Sequence, residues 1–200
     1  MHRQLKLRRT GCRFVSLAAV TIGLMLPVLA AGQVERIDAT ARGTSTQMGR
    51  IINIKIIVSK FSTPADRQIL VDAFKKGQNQ GLSDALSKMK SSGRIQIPGT
   101  VGYDLAYVVS VPTETGRRIR FVTNRKIAFA EAARNTPSKA FDLTAGEVDI
   151  NEQDTKKSAG TLFPATQLTL NSEGALQWEL NQNPWELTNI IDWKPKGKEQ

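Results

Sequence analysis

YDLAYVVSVPTETGRRIRFVT, residues 103–123, carries two alternating apolar runs on either side of a turn. Tyr103, Leu105, Tyr107, Val109 and Val111 fall on one side of an extended chain at a period of two, the spacing of a half-buried strand. The segment Thr113–Gly116 reads as a type I turn followed by a left-handed glycine, the usual three-residue hairpin loop. That turn sets Thr113 opposite Arg117, so Val111 faces Ile119, Val109 faces Phe121, Tyr107 faces Thr123 and Asp104 faces Lys126. Ile119 and Phe121 are thereby predicted inside, and Arg118 and Arg120 outside.

This register governs the reading of the basic stretch 116–126, which holds Arg117, Arg118, Arg120, Arg125 and Lys126. Sheets that bind single-stranded nucleic acid place aromatic rings among their cations so that bases can stack. Phe121 and Tyr107 are predicted to face the core instead, so no nucleic-acid partner is expected. Arg118 and Arg120 remain a candidate anion-binding face for lipid headgroups or polysaccharide, or an ordinary solvated strand face.

Working outward, IINIKIIV (51–58) sets Ile52, Ile54, Ile56 and Val58 on one face. TQLTL and ALQWEL flank NSEG (171–174); pairing Leu170 with Leu176 puts Leu168 opposite Trp178 and Gln167 opposite Glu179, apolar against apolar and polar against polar. Between these β signals lies a helical one. Thr63 is an N-cap, Pro64 suits the first helical position and Asp66 completes a capping box, with an apolar stripe of Ala65, Ile69, Leu70, Ala73 and Phe74 ending at Gly77. A second short helix carries Leu82, Ala85, Leu86 and Met89 and ends near Gly93. Its lysines, with those of the first helix (Lys75, Lys76, Lys88, Lys90), make peripheral contact with an anionic membrane an open reading beside that of a plain amphipathic cover.

The first residues have the order of a secretory signal peptide. Arg3, Lys6, Arg8, Arg9 and Arg13 precede an apolar run from Phe14, and small residues follow at Ala30, Ala31 and Gly32, with cleavage expected near Ala30. Retention of the run as an anchor is the alternative. The chain has 28 Lys plus Arg against 18 Asp plus Glu; without those five basic residues the balance is 23 against 18, or +5. The single Cys (Cys12) and single His (His2) lie in this segment too. The exported part therefore lacks the residues for disulfides, Cys/His zinc sites, Ser-His-Asp or Cys-His nucleophiles and histidine acid–base catalysis. Catalytic, cofactor and metal residues are not nominated, and no cofactor is expected.

Glu147, Asp149, Glu152 and Asp154 in GEVDINEQD depart from the calcium-loop spacing, with Asp154 where the turn glycine belongs, and read as a charged hairpin tip. Trp178, Trp185 and Trp193, with nearby Asn and Gln, suit a sugar or lipid pocket; Trp178, Trp185, Leu187 and Ile191 also keep strand period, which suits a core. Tyr107, Trp178 and Trp185 are the candidate ligand-lining aromatics.

The strand at 51–58, TPADRQILVDAFKKGQNQGLSDAL, GRIQIPGTVGYDLAY, RRIRFVTNRKIAF and the terminal ELTNI together resemble a group of small exported bacterial proteins of unknown function. The resemblance implies an exported sheet-plus-helix domain and carries no catalytic residues. The expected organisation is a signal peptide (1–31), a polar segment or edge strand (32–48), one α+β domain (49–194) and a polar tail (195–200). That domain is expected to be a mainly antiparallel β-sandwich or partly closed barrel with a helical hairpin, about 63–92, packed against it. Its expected role is an exported, non-catalytic binding module for an apolar or amphiphilic ligand or an envelope partner protein. The alternatives are a His-free hydrolase of envelope glycans using two of Asp104, Glu131, Asp149 and Glu179, and adhesion to anionic envelope polymers through the arginine face.

Overall fold

The computed structural model describes residues 34–125, 143–170, 176–180 and 183–193. The expectations for the signal peptide, Glu131, Lys126 and the tail fall outside them. The strands are β1 (Glu35–Gly43), β2 (Ile51–Val58), β3 (Gly93–Gln96), β4 (Tyr103–Thr113), β5 (Gly116–Thr123), β6 (Leu143–Asn151), β7 (Ala159–Leu170), β8 (Leu176–Leu180) and β9 (Trp185–Asp192), with helix α1 (Pro64–Lys88) between β2 and β3.

Strands β1 to β7 follow one another as antiparallel neighbours, and β9 bridges β7 and β1 to close an eight-stranded barrel. The sheet is neither a sandwich nor partly open. Long β7 allows this: Gly160–Leu162 pairs with β9, and farther along Thr166–Leu170 pairs with β8, which adds a hairpin flap. The β7–β8 register is the one the sequence implies, with Leu168 opposite Trp178 and Gln167 opposite Glu179. The 32–48 segment contributes β1, which is paired on both sides and is not an edge.

Eight strands enclose a space that side chains alone can fill. Here Ile37, Ile54, Ile56, Leu105, Val108, Ile119, Phe121, Val148, Leu162, Trp185 and Leu187 pack together as the core. Each fully buried large side chain contributes roughly 1.5–3 kcal/mol by leaving water. Gly146 sits opposite Phe121 in the register, and a Cβ there would lie 2.4 Å from Phe121 Cζ, so the glycine makes room for the ring. Outward positions carry Arg36, Asp38, Lys55, Arg118, Arg120, Glu147 and Asp149. Apolar inside and charged outside is the reverse of the alternation in strand-built membrane channels. Among the described residues, no helix is long and apolar enough to cross a membrane.

The hairpin at 103–123 folds one residue out of the expected register. Thr113 pairs with Gly116, not Arg117, across the two-residue turn Glu114–Thr115, so Val111 faces Arg118 and Val109 faces Arg120. A register irregularity between Leu105 and Tyr107 then sends both Leu105 and Val108 inward and Tyr107 outward. Ile119 and Phe121 are inside, as expected, and Arg118 and Arg120 outside. The run Tyr107–Val111 has valines on both faces, and Ser110–Thr113 are exposed, so period two there does not report the core. Asp104 bonds Arg94 of β3.

Asn189, at φ 50°, causes a similar switch in β9. Register shifts beside it bring Ile190 inside and leave Ile191 exposed, against the expectation for Ile191.

Candidate functional site

The capping box forms as read: Thr63 N donates to Asp66 Oδ2 at 2.7 Å and Asp66 N to Thr63 Oγ1 at 3.2 Å. The Thr63 N bond most of all, and a second from Thr63 Oγ1 to Asp66 Oδ2 at 2.8 Å, hold the Asp66 carboxyl below its ordinary pKa. One helical element follows instead of two separate helices, but it is broken where the first was expected to stop. Gly77 (φ −138°, ψ 16°) and Gln78 (φ 53°, ψ −143°) leave the helical region. Beyond the break the backbone returns so closely that a Cβ on Gly81 would lie 2.4 Å from the Ala73 carbonyl oxygen. Residues eight apart in an unbroken helix stand about 12 Å apart along its axis, so the two halves cross at Ala73 and Gly81.

Leu70, Phe74, Leu82 and Leu86 turn under the element and pack with Ala106, Leu143 and the partly buried Tyr107, Val122 and Leu168 outside the barrel. Asn79 Oδ1 accepts from Leu168 N at 3.0 Å and ties the break to β7. Ile69 was expected in the same stripe, yet it is 55% exposed.

Ile69 instead lines a crevice of about 590 Å³ between the two halves of α1, with Ala73, Gly77, Gly81, Ala85 and Met89 as its apolar part. Lys60, Lys76, Lys88 and Lys90 stand around it, with Asp66 and Asp84. Asp66 serves the N-cap, and Asp84 Oδ1 accepts from Gln80 at 2.9 Å. Among the described residues, none of these four lysines enters an ion pair. The crevice thus joins an apolar strip to a net positive rim, in the size range of small-molecule sites.

The residues singled out from sequence scatter. Trp185 is buried in the barrel core. Trp178 lies in β8 opposite Leu168. Tyr107 and Arg120 meet on an outer groove of about 660 Å³ with Arg67, Val109, Val122 and Phe163. Burial raises the Tyr107 hydroxyl pKa there.

Arg118 and Arg120 each already have a carboxylate. Arg118 Nε and Nη2 bond Asp149 at 2.5 and 2.9 Å, and Arg120 Nε bonds Glu147 at 3.2 Å. The hydrogen bond to Asp149, with the charges of Glu147 and Asp149, raises the Arg118 pKa. The arginine face is therefore a mixed-charge ladder with part of the acidic run 146–154. The rest of that run forms the β6–β7 hairpin tip, where Asn151 Oδ1 accepts from Gln153 N and Asp154 N. Of the carboxylates weighed for hydrolysis, Asp104 is held by Arg94, Asp149 by Arg118 and Glu179 by Gln167. Among the described residues, no Asp/Glu cluster suited to a metal occurs.

Lys60, Ile69 and Met89 of the crevice were not singled out together from sequence. The available signal was the pair Gly77 and Gly81 inside one helical pattern, which marks a break and a close crossing. No family model, no curated protein and no solved structure matches this chain.

Proposed function

We propose that the chain is an exported, non-catalytic binding module whose α1 crevice holds an anionic amphiphile, with its carboxylate or phosphate among the lysines and its acyl chain along Ile69, Ala73, Ala85 and Met89. The supporting observation is the set of four lysines that make no ion pair among the described residues, around an apolar crevice. A crevice that sets cations beside exposed apolar side chains suits a ligand that is charged at one end and apolar at the other. The filled barrel favours this outer crevice over the lumen as the ligand site.

Calorimetric titration of the purified exported part with oleate and with uncharged monoolein tests the reading. Oleate is expected to bind more tightly, with affinity falling as salt rises and at least tenfold weaker for Lys76→Glu/Lys88→Glu. Equal binding of the two lipids, or no binding of oleate, overturns the proposal.

A further inference from the structure

A second cluster lies on the outer face of β1, β2 and β9 and shares no residue with the crevice. Arg36, Asp38, Thr40, Asn53, Lys55, Asn189 and Ile191 line a shallow cleft of about 350 Å³. Trp193 adjoins it: its Nε1 donates to Asp38 Oδ2 at 2.9 Å, and its backbone N to Arg36 O at 2.8 Å. The Arg36 guanidinium lies 5.7 Å from the ring centroid and covers one face, while Trp193 remains 53% exposed. An exposed, immobilised indole thus stands beside a polar cleft.

The polar groups have capacity left over. Thr40 Oγ1 donates to Asn53 Oδ1 and accepts from Asn189 Nδ2, each at 3.4 Å. Asn53 Nδ2 and Asn189 Oδ1 have no partner among the described residues, so the two amides that meet at Thr40 leave one donor and one acceptor over. Asn189 occupies this place because of the bulge, with its φ of 50° held outside the usual range. Strain of this kind concentrates where a side chain must be aimed.

We infer that this face binds a saccharide carrying a carboxylate. Neighbouring ring hydroxyls both donate and accept, which matches the Asn53–Asn189 pair, and the C–H face of a pyranose stacks on an indole. The charge of Arg36 is taken by Asp38 at 3.0 and 2.6 Å. Lys55, opposite Asp38 in the register, makes no ion pair among the described residues; its charge is felt by Asp38, but its ammonium is not held by that carboxylate and can reach an acidic sugar. Such a carboxylate occurs both in uronic-acid polysaccharide and in cell-wall muramic acid whose lactyl group carries no peptide.

The test is a titration of the exported part, followed by tryptophan emission and calorimetry, with trigalacturonate, N-acetylmuramic acid and fully N-acetylated, hence neutral, chitotriose. At least one acidic probe is expected to bind, and the stronger one identifies the source. Trp193→Ala and Asn53→Ala should each weaken binding at least tenfold, and Lys55→Met should abolish the preference over chitotriose. Absence of binding by both acidic probes at millimolar concentration, equal binding of chitotriose, or binding unchanged in folded Trp193→Ala overturns the inference. Loss of oleate binding in Lys76→Glu/Lys88→Glu leaves these titrations unaffected, so the two sites fail separately.

Discussion

Arg117 of β5 and Glu35 at the start of β1 form a two-bond ion pair across one end of the barrel. Arg117 Nη1 donates to Glu35 Oε2 at 2.9 Å, Nη2 donates to Glu35 Oε1, and Nη2 also reaches Asp192 Oδ2 at 2.6 Å. The Arg117 and Glu35 side chains are 12% and 9% exposed. Burial opposes the charge on Arg117, but the bonds to Glu35 and Asp192 outweigh it and hold the guanidinium pKa above its ordinary value. Arg117→Met deprives the little-exposed Glu35 and Asp192 carboxylates, and the half-exposed Glu152 that stands 3.6 Å from Arg117 Nε, of their shared cation, so a loss of about 3–5 kcal/mol is expected by urea denaturation. The triple variant Arg117→Met/Glu35→Leu/Asp192→Leu should regain most of it, because removing the buried members of the cluster also removes their desolvation penalty and leaves only the half-exposed Glu152. Equal destabilisation of the single and triple variants would show that the cluster is not an electrostatic unit.

Gly146 and Phe121 make a tighter test of core packing. Gly146→Ala sets a methyl where only 2.4 Å separates it from the ring, and the ring is enclosed by the barrel. Overpacking of this kind costs about 1–3 kcal/mol. A drop in the urea midpoint without change of slope is expected, and the additional variant Phe121→Leu should relieve part of it.

The break in α1 yields opposite signs at two neighbouring positions. Gln78 has a backbone conformation that glycine adopts without strain, so Gln78→Gly is expected to stabilise by about 1 kcal/mol. Gly81→Val meets the Ala73 carbonyl and should destabilise while weakening oleate binding. Thermal melts of the two variants, compared with the parent, decide both.

Acid should act on the Asp38–Trp193 contact. The hydrogen bond from Arg36 lowers the Asp38 pKa most, burial opposes it, and the Trp193 bond adds to the lowering. A carboxylate whose pKa is lower folded than unfolded contributes stability that is fully present above its unfolded value and lost as pH falls through the folded one. A change in tryptophan emission is therefore expected only below about pH 4. Asp38→Asn should lack that transition; its persistence would assign it to another carboxylate.

Sequence alone determined local chemistry and the β7–β8 register, whereas the β4–β5 hairpin turned one residue earlier than its loop spacing implied. The Thr63–Asp66 box, the inward Ile119 and Phe121 and the β7–β8 pairing each depend on residues a few positions apart, whose alternation or spacing carries the information. Tertiary structure decided what depends on long-range closure. The bridging of β7 to β1 by β9 made the sheet a barrel, and register irregularities at Ala106 and Asn189 turned Tyr107 and Ile191 outward against their period. Pairing across strands gave Arg118 and Arg120 their carboxylates, and the crossing at Gly81 assembled the lysine crevice. One inserted residue inverts every side chain beyond it, and a charge takes its partner from a neighbouring strand, so only the closed barrel fixes which faces meet water.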